Sequence, residues 1–473
     1  MADARVGEQQ IPTVHVTDAR SAATPIAPAP VSAKQWWVVI LLTLAGTLSF
    51  IDRQILNTMI GPIKRDLGGL SDTEVALIIG LAFSLVFTIA TVPLARLADR
   101  ISRRNIIIGG IFFWSLMTAL AGGANSFIKL FLARMGLGVG EAALGPASAS
   151  LLADTFERHR LPLAYGMTGA APFIGTGLAN LVGGPLGDWL EGQPKIVWPV
   201  VGELFSWQVV LIAVGLPGLL LAALMFTIKE PVRRGLSAER TAGIPLDEVL
   251  AFMYSRGRYL SLHFIGYLCL SIQGYALMTW VFELFKRKYH WSGTEIGLTY
   301  GFIALIIGLI GSIWAGYFAG RLVARGGADA PMRVAFWCSL GLGPVAVMMP
   351  LWNEGWLAAL FLVPLTFFMA MPSGLSISAL EAIAPNRLRG QLVAAYLICV
   401  QFLSYLIAPL IVAVVNDYVF GREDAIDKSI ASLAAVNYTI AAIALGLSLK
   451  HLRAAVQRIR SEERALGTAP AAT

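Results

Sequence analysis

From Trp36 to about residue 450 the chain alternates between continuous apolar runs of helical length and short polar clusters. A helix needs about 20 apolar residues to cross a hydrocarbon core of about 30 Å. Runs near 36–60, 74–97, 104–123, 127–153, 161–187, 206–228, 259–282, 293–321, 332–351, 355–383, 389–416 and 430–450 fit that requirement. The pattern predicts an all-α membrane protein with about twelve transmembrane helices. A membrane barrel would alternate apolar and polar residues at period two, and these runs are continuous. Residues 1–34 are rich in Ala and Pro with mixed charge, which predicts a disordered tail rather than a signal peptide. The longest polar interval, 229–258, falls between the sixth and seventh runs and holds Lys229, Arg233, Arg234, Arg240, Arg256 and Arg258. Its amphipathic stretch near Asp247–Tyr254 reads as a helix lying on the membrane surface. The expected organisation is therefore a tail (1–34), a six-helix bundle (35–228), a linker (229–258), a second six-helix bundle (259–452) and a tail (453–473).

Composition supports a membrane protein and removes several functions. Only 14% of the 473 residues are charged and mean hydropathy is +0.69, too few charges to cover a water-facing surface. The three cysteines (Cys269, Cys338, Cys399) lie in apolar runs with no CxxC spacing, and the five histidines are scattered. No disulfide framework or metal site is expected. There is no GxxxxGK[ST] loop to bind ATP, and no DDxxD or HExxH that would suggest an enzyme. Of 36 Lys and Arg, about 25 fall on the segments that share a face with the N-terminus and about nine on the other face. This places both termini in the cytoplasm, and the net charge of +7 needs no nucleic-acid partner to explain it. Arg outnumbers Lys and Ala is abundant, which suggests a bacterial inner membrane.

Four charges stand well inside apolar runs, away from their ends: Asp52, Arg53, Arg134 and Glu141. A charge at mid-bilayer costs at least about 2.5–3.5 kcal/mol, so each needs a partner or a task. At about 1.5 Å rise per residue, Asp52 and Arg134 fall at similar depth, with Glu141 about 10 Å deeper along the fourth span. We read Asp52 and Glu141 as proton-binding carboxylates and Arg134 as the cation whose partner changes between states. The side chain of Arg53, about 100° around the helix from Asp52, is expected to face the outer vestibule. Arg53 and Arg134 are candidates for an anionic head group. The alternative is a static ion pair that fixes helix packing. A sodium site would need more oxygen ligands than two carboxylates supply.

The loop Ala95-Arg96-Leu97-Ala98-Asp99-Arg100-Ile101-Ser102-Arg103-Arg104 has a partial counterpart in Gly316-Tyr317-Phe318-Ala319-Gly320-Arg321-Leu322. Two six-span halves with a repeated turn suggest parallel repeats of a secondary transporter. The first segment resembles the G-x-L-a-D-r-x-G-r-[RK] signature of the major facilitator superfamily, with Ala95 and Ser102 in place of glycines. Arg134-Met135-Gly136-Leu137-Gly138-Val139-Gly140-Glu141-Ala142-Ala143 resembles the superfamily's R-x-x-x-G-x-G-x-a-a motif. Phe50-Ile51-Asp52-Arg53, Gly138–Ala142 and Leu151-Leu152-Ala153-Asp154-Thr155-Phe156 are similar to the spinster group, whose members move lysophospholipids or sphingosine-1-phosphate. The Asp-Arg and Gly-x-Gly-Glu-Ala elements also resemble sugar-acid and organic-anion symporters.

This resemblance implies a cytoplasmic gate at Asp99, Arg100, Arg103 and Arg104, latching the two halves, with Asp154 among its candidate partners. The second half carries no acid or base midway through its spans. It offers Gln273, Tyr275, Gln401 and Tyr405 as cavity residues among apolar neighbours. One charged half facing one apolar, aromatic half suits an amphipath. The expected function is proton-coupled transport, by alternating access, of an amphipathic, anionic, lipid-like molecule. A sugar-acid or organic-anion proton symporter is the alternative. A monomer is expected, with protons and membrane lipids as partners and no cofactor beyond the proton gradient. Span five is dense in glycine (Gly166, Gly169, Gly175, Gly177, Gly183, Gly184) with Pro172 and Pro185, as a helix about which two bundles rock would be.

Overall fold

The structure is a computed structural model that describes residues 32–157, 160–193, 196–198, 202–231, 233, 246–325, 329–381, 383–385 and 388–465. Among the described residues nine helices are long and apolar enough to cross a membrane. We label the traverses α1–α12. Helix α1 joins Ala33–Gln54, a 3₁₀ stretch Ile55–Met59 and Ile60–Asp66, and α2 joins Asp72–Ala76, a π-helical turn Leu77–Ala82 and Phe83–Arg100. Helix α3 is Arg103–Ala121, α6 is Ser206–Met225, α7 is Gly257–Tyr289 and α9 is Ala330–Leu351. Helix α8 joins Gly293–Phe302, a π turn Ile303–Gly308 and Leu309–Ala324. Helix α11 joins Arg389–Tyr396, a π turn Leu397–Phe402, Leu403–Val414 and a second π turn Val415–Phe420, and α12 is Ile426–Ala465.

The other three traverses, each a single apolar run in the sequence, are each made of two helices: α4 (Phe127–Glu141, Leu144–Thr155), α5 (Leu161–Thr168, Ala171–Glu191) and α10 (Gly355–Met369, Pro372–Glu381). Pro146, Pro172 and Pro372 lie just beyond the three breaks. A proline cannot donate to the carbonyl four residues back and clashes with it, which accounts for the interruption there. The linker helix is Leu246–Ser255, at the amphipathic stretch seen in the sequence, with Leu250 and Tyr254 exposed.

The start of α1 and the end of α12 lie on one face of the bundle, here the terminal face, opposite the distal face. Helix α5 packs on α1 within its own half and on α8 of the other, and α2 packs on α11, so the α5–α8 and α2–α11 pairs carry much of the contact between the two halves. Glycine makes the approach possible. A Cβ on Gly175 would come within 2.5 Å of the Phe50 Cβ, and one on Gly177 within 2.6 Å of the Leu305 Cβ.

The distal face is closed across the halves by two matching caps. Ser71-x-Thr73-Glu74 opens α2 and Ser292-x-Thr294-Glu295 opens α8, each with a reciprocal Ser–Glu capping box. Each helix start is then capped again from the opposite half. Asp417, at the end of α11, accepts from the Thr73 N–H (2.8 Å) and hydroxyl (2.7 Å). Asp188, near the end of α5, accepts from the N–H groups of Gly293 (3.1 Å) and Thr294 (2.6 Å) and the Thr294 hydroxyl (2.8 Å). Carboxylates here meet the positive ends of helix dipoles.

Between these caps lies an ionic cluster. Fully buried Asp72 accepts from Lys64 (2.6 Å), Arg287 (2.7 and 2.9 Å) and Asn416 (3.0 Å). Lys64 also meets Glu423, and Arg287 meets Glu283. The side-chain hydrogen bonds that join the halves thus gather toward the distal face. On the terminal face the corresponding bonds run within one half or to the start of the linker. The molecule is shut on the distal side.

Candidate transport site

The site begins on α1, where the α-helix tightens to 3₁₀ immediately after Asp52, Arg53 and Gln54. A 3₁₀ stretch inside a long helix often marks a hinge. Antiparallel to α1, α4 brings Arg134 beside Asp52 and then, two turns on, Glu141 beside Ser49 and Arg53. The Arg134 Nη1 donates to the Asp52 backbone carbonyl at 3.0 Å. Arg53 donates to the Glu141 Oε2 from both Nε and Nη2 at 2.6 Å, and the Ser49 hydroxyl donates to the same oxygen at 2.7 Å. Asp52, Arg134 and Glu141 are each 3% exposed or less.

One expectation is corrected. Arg53 does not face the outer vestibule; it turns inward and is the ion-pair partner of Glu141. Arg134, read as the cation whose partner changes between states, donates in this conformation to a backbone oxygen. Its Nε and Nη2, the Asp52 Oδ1 and the Glu141 Oε1 have no hydrogen-bond partner among the described residues. Buried polar atoms are costly when unpaired, so each of these four atoms would be stabilised by a further partner.

Aromatic rings surround the Arg53 guanidinium. Its carbon lies 4.4 Å from the ring centre of Phe83, 5.1 Å from those of Phe50 and Phe87, and 5.9 Å from that of Tyr405. The first three rings belong to the N-terminal half, and Tyr405 comes from α11. Tyr405 also stands edge-on to Phe83 (5.5 Å) and Tyr275 (5.2 Å), and the Tyr275 hydroxyl donates to the Gln401 side chain at 3.4 Å.

Tyr275 and Gln401 open onto a cavity of about 280 Å³ between the halves, lined also by Phe50, Phe173, Tyr267, Met278, Ser339, Met369 and Tyr438. Its walls are mostly aromatic and aliphatic, with hydroxyls set among them. Gln273 is a further correction. It does not line this cavity but is buried against α12, where its side-chain oxygen accepts from Asn437 at 3.5 Å.

At the terminal face Arg103 is 1% exposed and pairs with Asp154 and with Glu230 (2.8 Å). Glu230 also accepts from the N–H groups of Arg103 (3.3 Å) and Arg104 (2.9 Å) and from the Ser102 hydroxyl (2.9 Å), capping α3. Burial raises its pKa, but the Arg104 N–H, Arg103 and Ser102 outweigh that and hold it below the usual glutamate range. Arg233 donates to the carbonyls of Ala98 (2.9 Å) and Ile101 (2.7 Å). The expected latch between halves is, in this conformation, a clamp between the α2–α3 turn, α4 and the start of the linker. Arg100 is exposed, and the Asp99 side chain lies outside the described residues.

Twelve traverses in two halves, with a buried charge cluster between a closed face and an internal cavity, invite comparison with known transporters. The sequence profile of the Major Facilitator Superfamily matches residues 42–409. The chain belongs to the Major Facilitator Superfamily. An "MFS-type efflux pump" of Mycolicibacterium smegmatis is 31% identical over 296 residues, 62% of this chain and 64% of that protein. A "probable L-galactonate transporter" of Escherichia coli K12 is 26% identical over 312 residues, 63% of this chain and 64% of the relative. "Protein spinster" of Drosophila melanogaster is 22% identical over 326 residues, 67% of this chain and 51% of the relative. The chain thus matches just under two thirds of the length of the first two relatives. In fold it is similar to a bacterial homologue of the human lysosomal transporter spinster, with TM-score 0.73, 22% identity, and coverage of 90% of this chain and 98% of that one. These superfamily relatives are transporters rather than enzymes.

Several residues of the site were missed in the sequence. Ser49, Phe83 and Phe87 are ordinary members of apolar runs. Lys64, Asp72, Asp188, Glu283, Arg287 and Asp417 look like loop or helix-end charges. The repeated Ser-x-Thr-Glu at 71–74 and 292–295 was the one signal that could have marked the distal caps.

Proposed function

We propose that this transporter couples the movement of a single-chain anionic amphipath, of lysophospholipid or sphingoid-phosphate type, to protons by alternating access. The observation that carries the reading is the juxtaposition of a buried Asp52/Arg53/Arg134/Glu141 cluster with an aromatic cavity that has no charged wall residue among the described residues. A head group can displace Arg53 from Glu141 or occupy the free hydrogen-bonding sites of Arg134, while an apolar chain enters the cavity. At about 280 Å³ the cavity is near the small end of ligand pockets, roughly 300–1,000 Å³, which favours one chain over two. Protonation of Glu141 would release Arg53, and Asp52, close to Glu141 and Arg134, would serve as the second proton site. In this reading the terminal face, the side favoured as cytoplasmic by the positive-inside asymmetry, lies toward the cytoplasm of a bacterial cell, and the conformation described here faces inward. It needs no cofactor and acts as a monomer in this reading.

A second reading, a sugar-acid or organic-anion proton symporter, is favoured by the hydroxyls of Tyr267, Ser339 and Tyr438 and the amide of Gln401 in the cavity wall. The deciding experiment is uptake by purified protein in liposomes with and without an imposed pH gradient. It compares lysophosphatidic acid and sphingosine-1-phosphate with galactonate, in wild type and Asp52→Asn. Gradient-driven lipid movement lost in Asp52→Asn is the expected result. Galactonate movement alone would replace the lipid reading with the second one, and transport indifferent to pH in both proteins would remove the proton mechanism.

A further inference from the structure

We infer that Tyr405 is a positioning residue that links the approach of the two halves to the Arg53–Glu141 ion pair. The inference rests on the proton-coupled reading above and adds the means of coupling.

Arg53 is held by groups of both halves. Glu141, Ser49 and three phenylalanines belong to the N-terminal bundle and move with Arg53 when the bundles rock. Tyr405 alone among these ring contacts comes from the other bundle. A cation over an aromatic face is stabilised by it, more so when desolvated, and Arg53 is largely desolvated, its side chain 15% exposed. Withdrawing Tyr405 therefore changes the stability of the Arg53 position by an amount that matters to a conformational equilibrium. Tyr405 in turn packs edge-on to Tyr275, whose hydroxyl bonds Gln401 at the cavity wall. A chain of contacts thus runs from the cavity to the ion pair: Gln401, Tyr275, Tyr405, Arg53, Glu141.

The ionisable groups facing this chain are Asp52 and Arg53 on α1, Arg134 and Glu141 on α4, Tyr275 on α7 and Tyr405 on α11. When Glu141 takes a proton, Arg53 loses its anion and its remaining hold is the aromatic box. The position of the C-terminal half then has the greatest leverage on Arg53. By reciprocity, the free energy with which the halves bias proton binding equals that with which protons bias the halves.

The test uses the full chain without cargo, so that it stands apart from the question of substrate. Cys269, Cys338 and Cys399 are replaced by Ser. Spin labels are placed at Gln193→Cys and Asn353→Cys, exposed positions on the distal side of the two halves. Distance distributions are recorded from pH 5 to 9 in wild type, Tyr405→Phe and Tyr405→Leu, with thermal melts confirming that each variant is folded. Wild type is expected to shift between short and long distances with pH. Tyr405→Phe, which keeps the ring, should retain the shift with its midpoint within about 0.3 pH units. Tyr405→Leu should sample both distances with at least a threefold weaker dependence on pH. A Tyr405→Leu variant with wild-type midpoint and amplitude overturns the link. A wild type whose distances ignore pH overturns the proton-coupled reading itself, and the link with it. If Tyr405→Leu is unfolded, Tyr405→Met is measured under the same criterion.

Discussion

Arg53 and Glu141 are held inside the bundle at a distance where neither charge can be removed alone without penalty. Breaking a buried pair leaves an uncompensated charge and costs about 3–5 kcal/mol, whereas replacing both members by apolar groups is often neutral or stabilising. Glu141→Gln is therefore expected to lower thermal stability, and Arg53→Met with Glu141→Met to restore it. Neither variant should transport. Melting curves and liposome flux measured on the same samples check this, and a doubly substituted protein that still transports with a pH gradient would reduce the pair to a packing device.

Glu230 makes the opposite kind of prediction. Its folded pKa is depressed, so its contribution is complete above the unfolded value of about 4.3 and is lost as pH falls through the lower folded value. The clamp on Arg103 is therefore intact at neutral pH and takes no part in sensing protons there. Acidification from pH 6 to 3 should destabilise wild type more than Glu230→Gln. Equal slopes in thermal melts would remove Glu230 from the clamp.

Among the elements, α5 and α11 have matched tasks, since each ends in an aspartate that caps a helix of the other half. Loss of a helix cap costs about 0.5–2 kcal/mol. Asp188→Ala and Asp417→Ala should each shift the population away from distal closure by roughly fivefold, at about 1 kcal/mol per cap. The labels at Gln193→Cys and Asn353→Cys would read it, and a shift in one variant but not the other would break the proposed equivalence. Gly177 offers a steric counterpart. Because an added Cβ would lie 3.0 Å from the Gly301 carbonyl oxygen and 2.6 Å from the Leu305 Cβ, Gly177→Ala should disfavour the same closure by about 1–3 kcal/mol. The same distance measurement detects it, and an unchanged distribution would show that α5 and α8 yield there.

Taken across the whole molecule, what was legible in sequence was whatever a lipid environment forbids by default. Asp52, Arg53, Arg134 and Glu141 stood out because apolar runs contain few charges, and the twelve runs were visible because hydrocarbon demands continuous apolar length. Who pairs with whom was not legible. It depends on the crossing of α1 and α4 and on the 3₁₀ turn after Gln54, neither of which leaves a local signature. The distal cluster was hidden for another reason. Lys64, Asp72 and Arg287 lie at helix ends, where charge is ordinary, and their importance arises only when the bundles close. The breaks in α4, α5 and α10 were encoded in Pro146, Pro172 and Pro372 but merged into long apolar runs.

The central cluster contains two acids and two arginines. With both acids ionised its charge sums to zero, so carrying the empty site through the membrane's electric field performs no electrical work. Each proton bound adds one positive charge, worth about 2.3 kcal/mol per 100 mV if it crosses the full field. An anionic head group of one charge would cancel one such proton. Transient currents on a supported membrane should then be absent for cargo loaded with an equal number of protons and present for any excess. On the proposed proton-coupled reading, the balance of charges in this one cluster sets whether the cell's voltage, or only its concentration gradients, can drive the cycle.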